Sequence, residues 1–74
     1  MKMYQTKLFE LRTDHDLRQE DIAKVISCTK QAYGNYENGK RALPLEQLTK
    51  LCNFYGVSAD YILGLPKGLK YPER

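Results

Sequence analysis

The chain has 74 residues, which is room for one small domain and too little for a ligand-sensing or catalytic domain beside it. A formal charge of +3 permits a nucleic-acid partner without forcing one, so the placement of the cations matters more than their excess. No apolar run approaches the ~20 residues of a membrane span, no nucleophile–base pair or glycine-rich phosphate loop stands out, and Cys28, Cys52 and His15 lack the pairing of a zinc site.

In chain order, Tyr4, Leu8 and Leu11 follow the i, i+4, i+7 stripe of a first helix, with Asp14, His15 and Asp16 as its polar exit. Leu17, Ile22 and Ile26 recur at near-helical intervals in a second helix, where Ala23 offers a small contact point for a crossing neighbour. Glu20 and Asp21 stand in its first turn, where negative charge suits the helix dipole. Gln19, beside them, is either ordinary surface or a donor to phosphate if this helix end meets DNA.

A third helix is expected to start at Thr29, a residue able to accept a bond from a first-turn backbone donor. At about 100° per residue, Ala32, Tyr33 and Tyr36 share an inner face, while Lys30, Gln31, Gly34, Asn35 and Asn38 collect on the outer one. Asn or Gln can meet the donor–acceptor edge of adenine with a bidentate pair, and Lys can reach the guanine acceptors. Lys30, Gln31 and Asn35 therefore form a plausible readout set, with Gly34 leaving room for a backbone or thymine methyl to approach. On an isolated helix the same residues would read as a solvated polar face.

Asn38-Gly39 is a turn signal in which Gly39 can take the left-handed conformation that ends a helix. Lys40 and Arg41 follow directly, placed to grip phosphates, which give affinity and register but no sequence preference. Residues 19–41 thus outline two short helices joined by a tight turn and followed by a basic loop. This helix-turn-helix shape is most commonly used to read duplex DNA.

Pro44 opens a fourth helix, whose inner face is expected to carry Leu45, Leu48, Leu51, Cys52 and Tyr55 until Gly56. A short fifth helix has Ser58 as its cap, Asp60 in its first turn, Ile62 and Leu63 as apolar residues and Gly64 as its stop. Residues 65–74 hold two prolines and a glycine and form a tail. Its Leu65, Leu69 and Tyr71 either lie against a second subunit together with the fifth helix, or belong to a frayed end.

The span from about Tyr4 to Gly64 resembles the lambda-repressor-like helix-turn-helix family of phage repressors, Cro proteins and xenobiotic-response-element-type regulators. The matching residues are Leu8-x-x-Leu11-Arg12, Leu17-x-Gln19-Glu20-Asp21-Ile22-Ala23, Tyr36 to Arg41, Leu45-Glu46-x-Leu48-x-Lys50-Leu51, and Gly56-Val57-Ser58 through Leu63-Gly64. The resemblance implies Lys30, Gln31, Gly34 and Asn35 at base edges, with Gln19, Asn38, Lys40 and Arg41 on the backbone. It also implies that Arg12 pairs with Glu37 and fixes how the third helix is presented; read alone, both would be exposed charges worth up to about 1 kcal/mol. Two positions depart from the pattern: Arg18 stands where Ser or Thr often caps the second helix, and Ser27 where the turn often has Gly. A missing cap costs about 1 kcal/mol, and a non-glycine residue in the left-handed region roughly 1 to 2 kcal/mol.

The expectation is an all-α, five-helix DNA-binding domain over residues 1–64 with a tail over 65–74. It would act as a homodimeric, sequence-specific regulator, repressing by occupying a near-palindromic operator on double-stranded DNA through the major groove. Such a protein would be cytoplasmic, with Cys28 and Cys52 as reduced thiols, and would need no cofactor, metal, membrane or small-molecule ligand. The alternative is a protein-interaction module, such as an antitoxin or anti-repressor component; an enzyme is not indicated.

Overall fold

The six largest side chains lost from water are Leu8, Ile22, Ile26, Tyr33, Leu51 and Ile62, so each helical segment of the chain contributes at least one residue to a single core. A computed structural model describes residues 3–66 and residue 68. Over those residues the chain forms α1 (Tyr4–Asp14), α2 (Gln19–Val25), α3 (Lys30–Asn38), α4 (Leu45–Tyr55) and α5 (Ala59–Leu63), with no strand among them. This is the all-α, five-helix architecture expected. α2 packs on α3, Ala23 of α2 is only 2% exposed, and α1 and α4 close the core around them.

Each helix ends in a left-handed residue whose successor donates five residues back, the Schellman arrangement that satisfies the last carbonyls. Gly39 does this for α3, and Gly56 and Gly64 for α4 and α5. α1 and α2 use Asp16 (φ 55°) and Ser27 (φ 57°) instead, with Leu17 N–H donating to Arg12 O at 3.0 Å and Cys28 N–H to Ala23 O at 2.9 Å. The left-handed Ser27 follows from its place in the turn. Asp16 carried no comparable sequence signal, since it read simply as part of a polar exit.

At the helix starts, Thr29 accepts from Ala32 N–H at 3.0 Å and Ser58 accepts from Tyr61 N–H at 3.2 Å, as expected of both. Arg18, having no acceptor on its side chain, cannot cap α2. Its backbone N–H donates instead to Asp21 Oδ2 at 2.8 Å, which is the reverse half of a capping box.

Several apolar positions fall differently from their sequence reading. Leu45 is 78% exposed, not on the inner face of α4, because with Pro44 as the N-cap it is the very first residue of that helix. Leu17 lies before α2, in the turn closed by Arg12, although it still packs on the core. Leu65 is 45% exposed, while Leu69 and Tyr71 lie outside the described residues.

Candidate nucleic-acid interface

The outer face of α3 depends on what holds its inner face. Arg12 reaches from the last turn of α1 to the end of α3, donating from Nε to Glu37 Oε2 at 2.9 Å and from Nη2 to Oε1 at 2.8 Å. Its Nη1 donates to Leu17 O at 2.9 Å, so one guanidinium ties α1, the turn before α2 and α3 together. The two side chains are 15% and 6% exposed, which makes this the part-buried pair implied by the family resemblance and not two surface charges.

Burial alone would push the Glu37 carboxyl up, but the hydrogen bonds from Arg12 and its neighbours outweigh it and hold the group below its ordinary value. The same bond raises the Arg12 guanidinium further above its ordinary value. Tyr33, fully buried one turn earlier on α3, has its phenol pushed strongly up by burial and then by the Glu37 carboxylate. Glu37 is therefore held charged, paired with Arg12 and almost wholly withdrawn from solvent.

On the opposite side of α3, Gln19, Lys30, Gln31, Gly34, Asn35, Asn38 and Lys40 line one open, mostly polar cleft. The seven residues come from α2, α3 and the loop after α3, so the expected base and phosphate sets share one surface. Arg41 is exposed just beyond that lining. Its backbone N–H and that of Lys40 both donate to Asn35 O, at 3.2 and 2.9 Å, which fixes the basic loop against the end of the helix.

The structure adds two facts about this face. Gly34 is buried, so the space above it is not vacant for a thymine methyl or a backbone. The Gln19 carboxamide occupies it: a Cβ at position 34 would lie 3.3 Å from Gln19 Oε1. Gln19 is accordingly half-buried, with Nε2 donating to Glu37 Oε1 over a long 3.4 Å. Neither fact was legible in helical periodicity, which places residues on one helix and says nothing of a side chain arriving from another.

Burial raises both cysteine thiols, Cys28 and Cys52, which are free. Among the described residues no group of three or more His, Cys, Asp or Glu could hold a metal, and no helix is long and apolar enough to cross a membrane.

A helix-turn-helix family model matches residues 8–62, a span that begins on α1 and ends on α5. The chain belongs to the helix-turn-helix family. Its resemblance to the lambda-repressor-like members is thus membership. Among curated relatives of this helix-turn-helix chain, the HTH-type transcriptional regulator YobD of Bacillus subtilis is 44% identical over 63 residues, covering 85% of this chain and 56% of that protein. The cryptic phage CTXphi transcriptional repressor RstR of Vibrio cholerae is 42% identical over 55 residues, covering 74% of this chain and 50% of RstR. The antitoxin PezA of Streptococcus pneumoniae is 32% identical over 59 residues, covering 80% of this chain and 37% of PezA. The chain thus spans about half the length, or less, of these curated relatives. A crystal structure of a transcriptional regulator from Listeria innocua superposes with a TM-score of 0.83 at 20% identity, covering 95% of this chain and 65% of that one, which establishes the shared fold.

Proposed function

We propose that this protein is a sequence-specific DNA-binding transcriptional regulator that acts as a homodimer on a near-palindromic operator. The observation that carries the reading is the gathering of Lys30, Gln31, Asn35 and Asn38 of α3, with Lys40 from the loop after it, along one cleft, while Arg12 and Glu37 hold the helix from within. Such a helix enters the major groove as a rigid unit. Its amides and Lys30 meet base edges, while Lys40 and Arg41 neutralise phosphates at the rim.

Repression is the simplest mode, since occluding a promoter requires nothing beyond binding; the similarity to RstR, a transcriptional repressor, supports it. The dimer reading draws on the individually exposed apolar residues Leu45, Tyr61, Leu63 and Leu65, which are 78%, 49%, 38% and 45% exposed. Two copies would set their recognition helices about 34 Å apart, one turn of duplex. The site of action would be the cytoplasm, and no catalytic step is invoked. The similarity to PezA favours a second reading, an antitoxin component in which the same fold also holds a protein partner.

Selection of bound duplexes from a random library, with affinity followed against salt, tests the proposal. Enrichment of a two-fold-symmetric site is the expected result. Weak, sequence-blind binding that vanishes with salt would overturn it in favour of the protein-partner reading.

A further inference from the structure

We propose that α1 is a splint for the basic loop after α3, with Tyr4 and Gln5 as positioning residues that hold Lys40 and Arg41 at a fixed height beside the outer face of that helix. This rests on the regulator reading. From its last turn back to its first, α1 meets the end of α3 and then the loop in order: Arg12 bonds Glu37, the Gln5 amide lies against Gly39, and Tyr4 holds Leu43. Arg12 and Tyr4 stand about 12 Å apart along the helix axis. One rigid element therefore braces both the proposed recognition helix and the cations that follow it.

The loop is tied at its start and again near its end. Lys40 and Arg41 N–H both donate to Asn35 O, at 2.9 and 3.2 Å. Pro44, the N-cap of α4, has no N–H to give, and just before it Leu43 N–H donates to the Tyr4 hydroxyl oxygen at 3.1 Å. Tyr4 is itself packed on the core, so the hydroxyl is a fixed acceptor. A Cβ built on the left-handed Gly39 would lie 3.6 Å from Nε2 and 3.8 Å from Cγ of Gln5, ordinary contact distances, so this amide rests on the point where the chain leaves α3. Asn38, which lines the polar cleft, also lines a second one with Gln5, which brings α1 to the edge of the proposed interface. Cations on a loop held in this way lose only side-chain freedom on meeting phosphate, whereas a loose loop would lose backbone freedom as well.

The test is a double-mutant cycle in the full chain, with the selected duplex and a scrambled one titrated at several salt concentrations. Tyr4→Phe keeps the ring in the core and removes only the oxygen. It is expected to weaken both duplexes alike by roughly 2- to 10-fold and to lower the salt slope by up to about one, with base preference unchanged. The loss is expected to shrink in the Lys40→Ala background, because the two changes spoil the same contact. Additive losses with an unaltered slope would show the hydroxyl serving the fold alone and overturn the proposal. If Tyr4→Phe melts below the assay temperature, Gln5→Ala carries the same cycle, and absence of coupling to Lys40→Ala overturns the proposal there too.

In the free protein, hydrogen exchange at the Lys40, Arg41 and Leu43 amides is expected to quicken together in Tyr4→Phe. A change confined to Leu43 would show that the loop holds without α1 and would overturn the splint with no DNA present. A parent that enriches no duplex overturns the regulator reading and the role of the splint in binding with it. A parent that enriches a site which Tyr4→Phe binds equally well overturns the splint alone.

Discussion

At the scale of single residues, the proposed interface on α3 divides into contacts that would specify and contacts that would hold. Gln31→Ala and Asn35→Ala are each expected to cost about 1 to 3 kcal/mol of operator binding and to relax preference at particular base pairs. Lys40→Ala is expected to weaken all duplexes alike and to lower the salt slope by about one, which titrations at several salt concentrations would reveal. Glu37 acts on presentation. Because its folded pKa is lowered, the Arg12 pair stabilises fully above the ordinary carboxyl value of 4.5 and its contribution is lost as pH falls through the lower folded value. Glu37→Ala leaves the part-buried Arg12 guanidinium without its carboxylate and is expected to cost about 3 kcal/mol at neutral pH. Denaturant unfolding of parent and variant should converge as the solution is acidified; a constant gap down to strongly acid pH would argue against the pair as its source.

At the scale of elements, the helix ends account for how so short a chain changes direction between successive helices without long loops. Three ends were legible because glycine sits where the left-handed residue is needed, and the capping roles of Thr29 and Ser58 were legible for a similar reason. The ends of α1 and α2 were less so, since Asp16 and Ser27 adopt that conformation against their intrinsic preference, held by the backbone bonds around them. Ser27→Gly is expected to gain roughly 0.5 to 1 kcal/mol, the relief of the left-handed penalty less the added entropy of an unfolded glycine. A thermal melt showing a loss instead would mean that the Ser27 side chain contributes something that its strain conceals. Operator preference should not change, because Ser27 lies off the outer face of α3.

At the scale of the whole molecule, none of the exposed apolar residues Leu45, Tyr61, Leu63 and Leu65 lines the polar cleft of α2 and α3. In the proposed homodimer, one copy would hold DNA through the cleft and a second copy through those residues. Sedimentation of the chain ended at Gly64 distinguishes the contributions of helix and tail to association. If the tail takes part, shortening shifts the protein toward monomer; unchanged dimerisation would assign the interface to α4 and α5 alone. The domain boundary at residue 64 is proposed on the same ground, and a shortened chain that melts like the parent would support it.

The sequence by itself determined the five helices, the order of their apolar stripes and the polar outer face of α3, because these follow from periodicity and from residues with strong local preferences such as glycine at a helix end. It also carried the Arg12–Glu37 pair, but only through resemblance, since no local pattern links residues 25 apart. The tertiary structure alone decided that Leu45 is exposed, that Asp16 is left-handed and that Gln19 lies over Gly34. Each of those depends on where a second element arrives, and a helical wheel has no term for a neighbour.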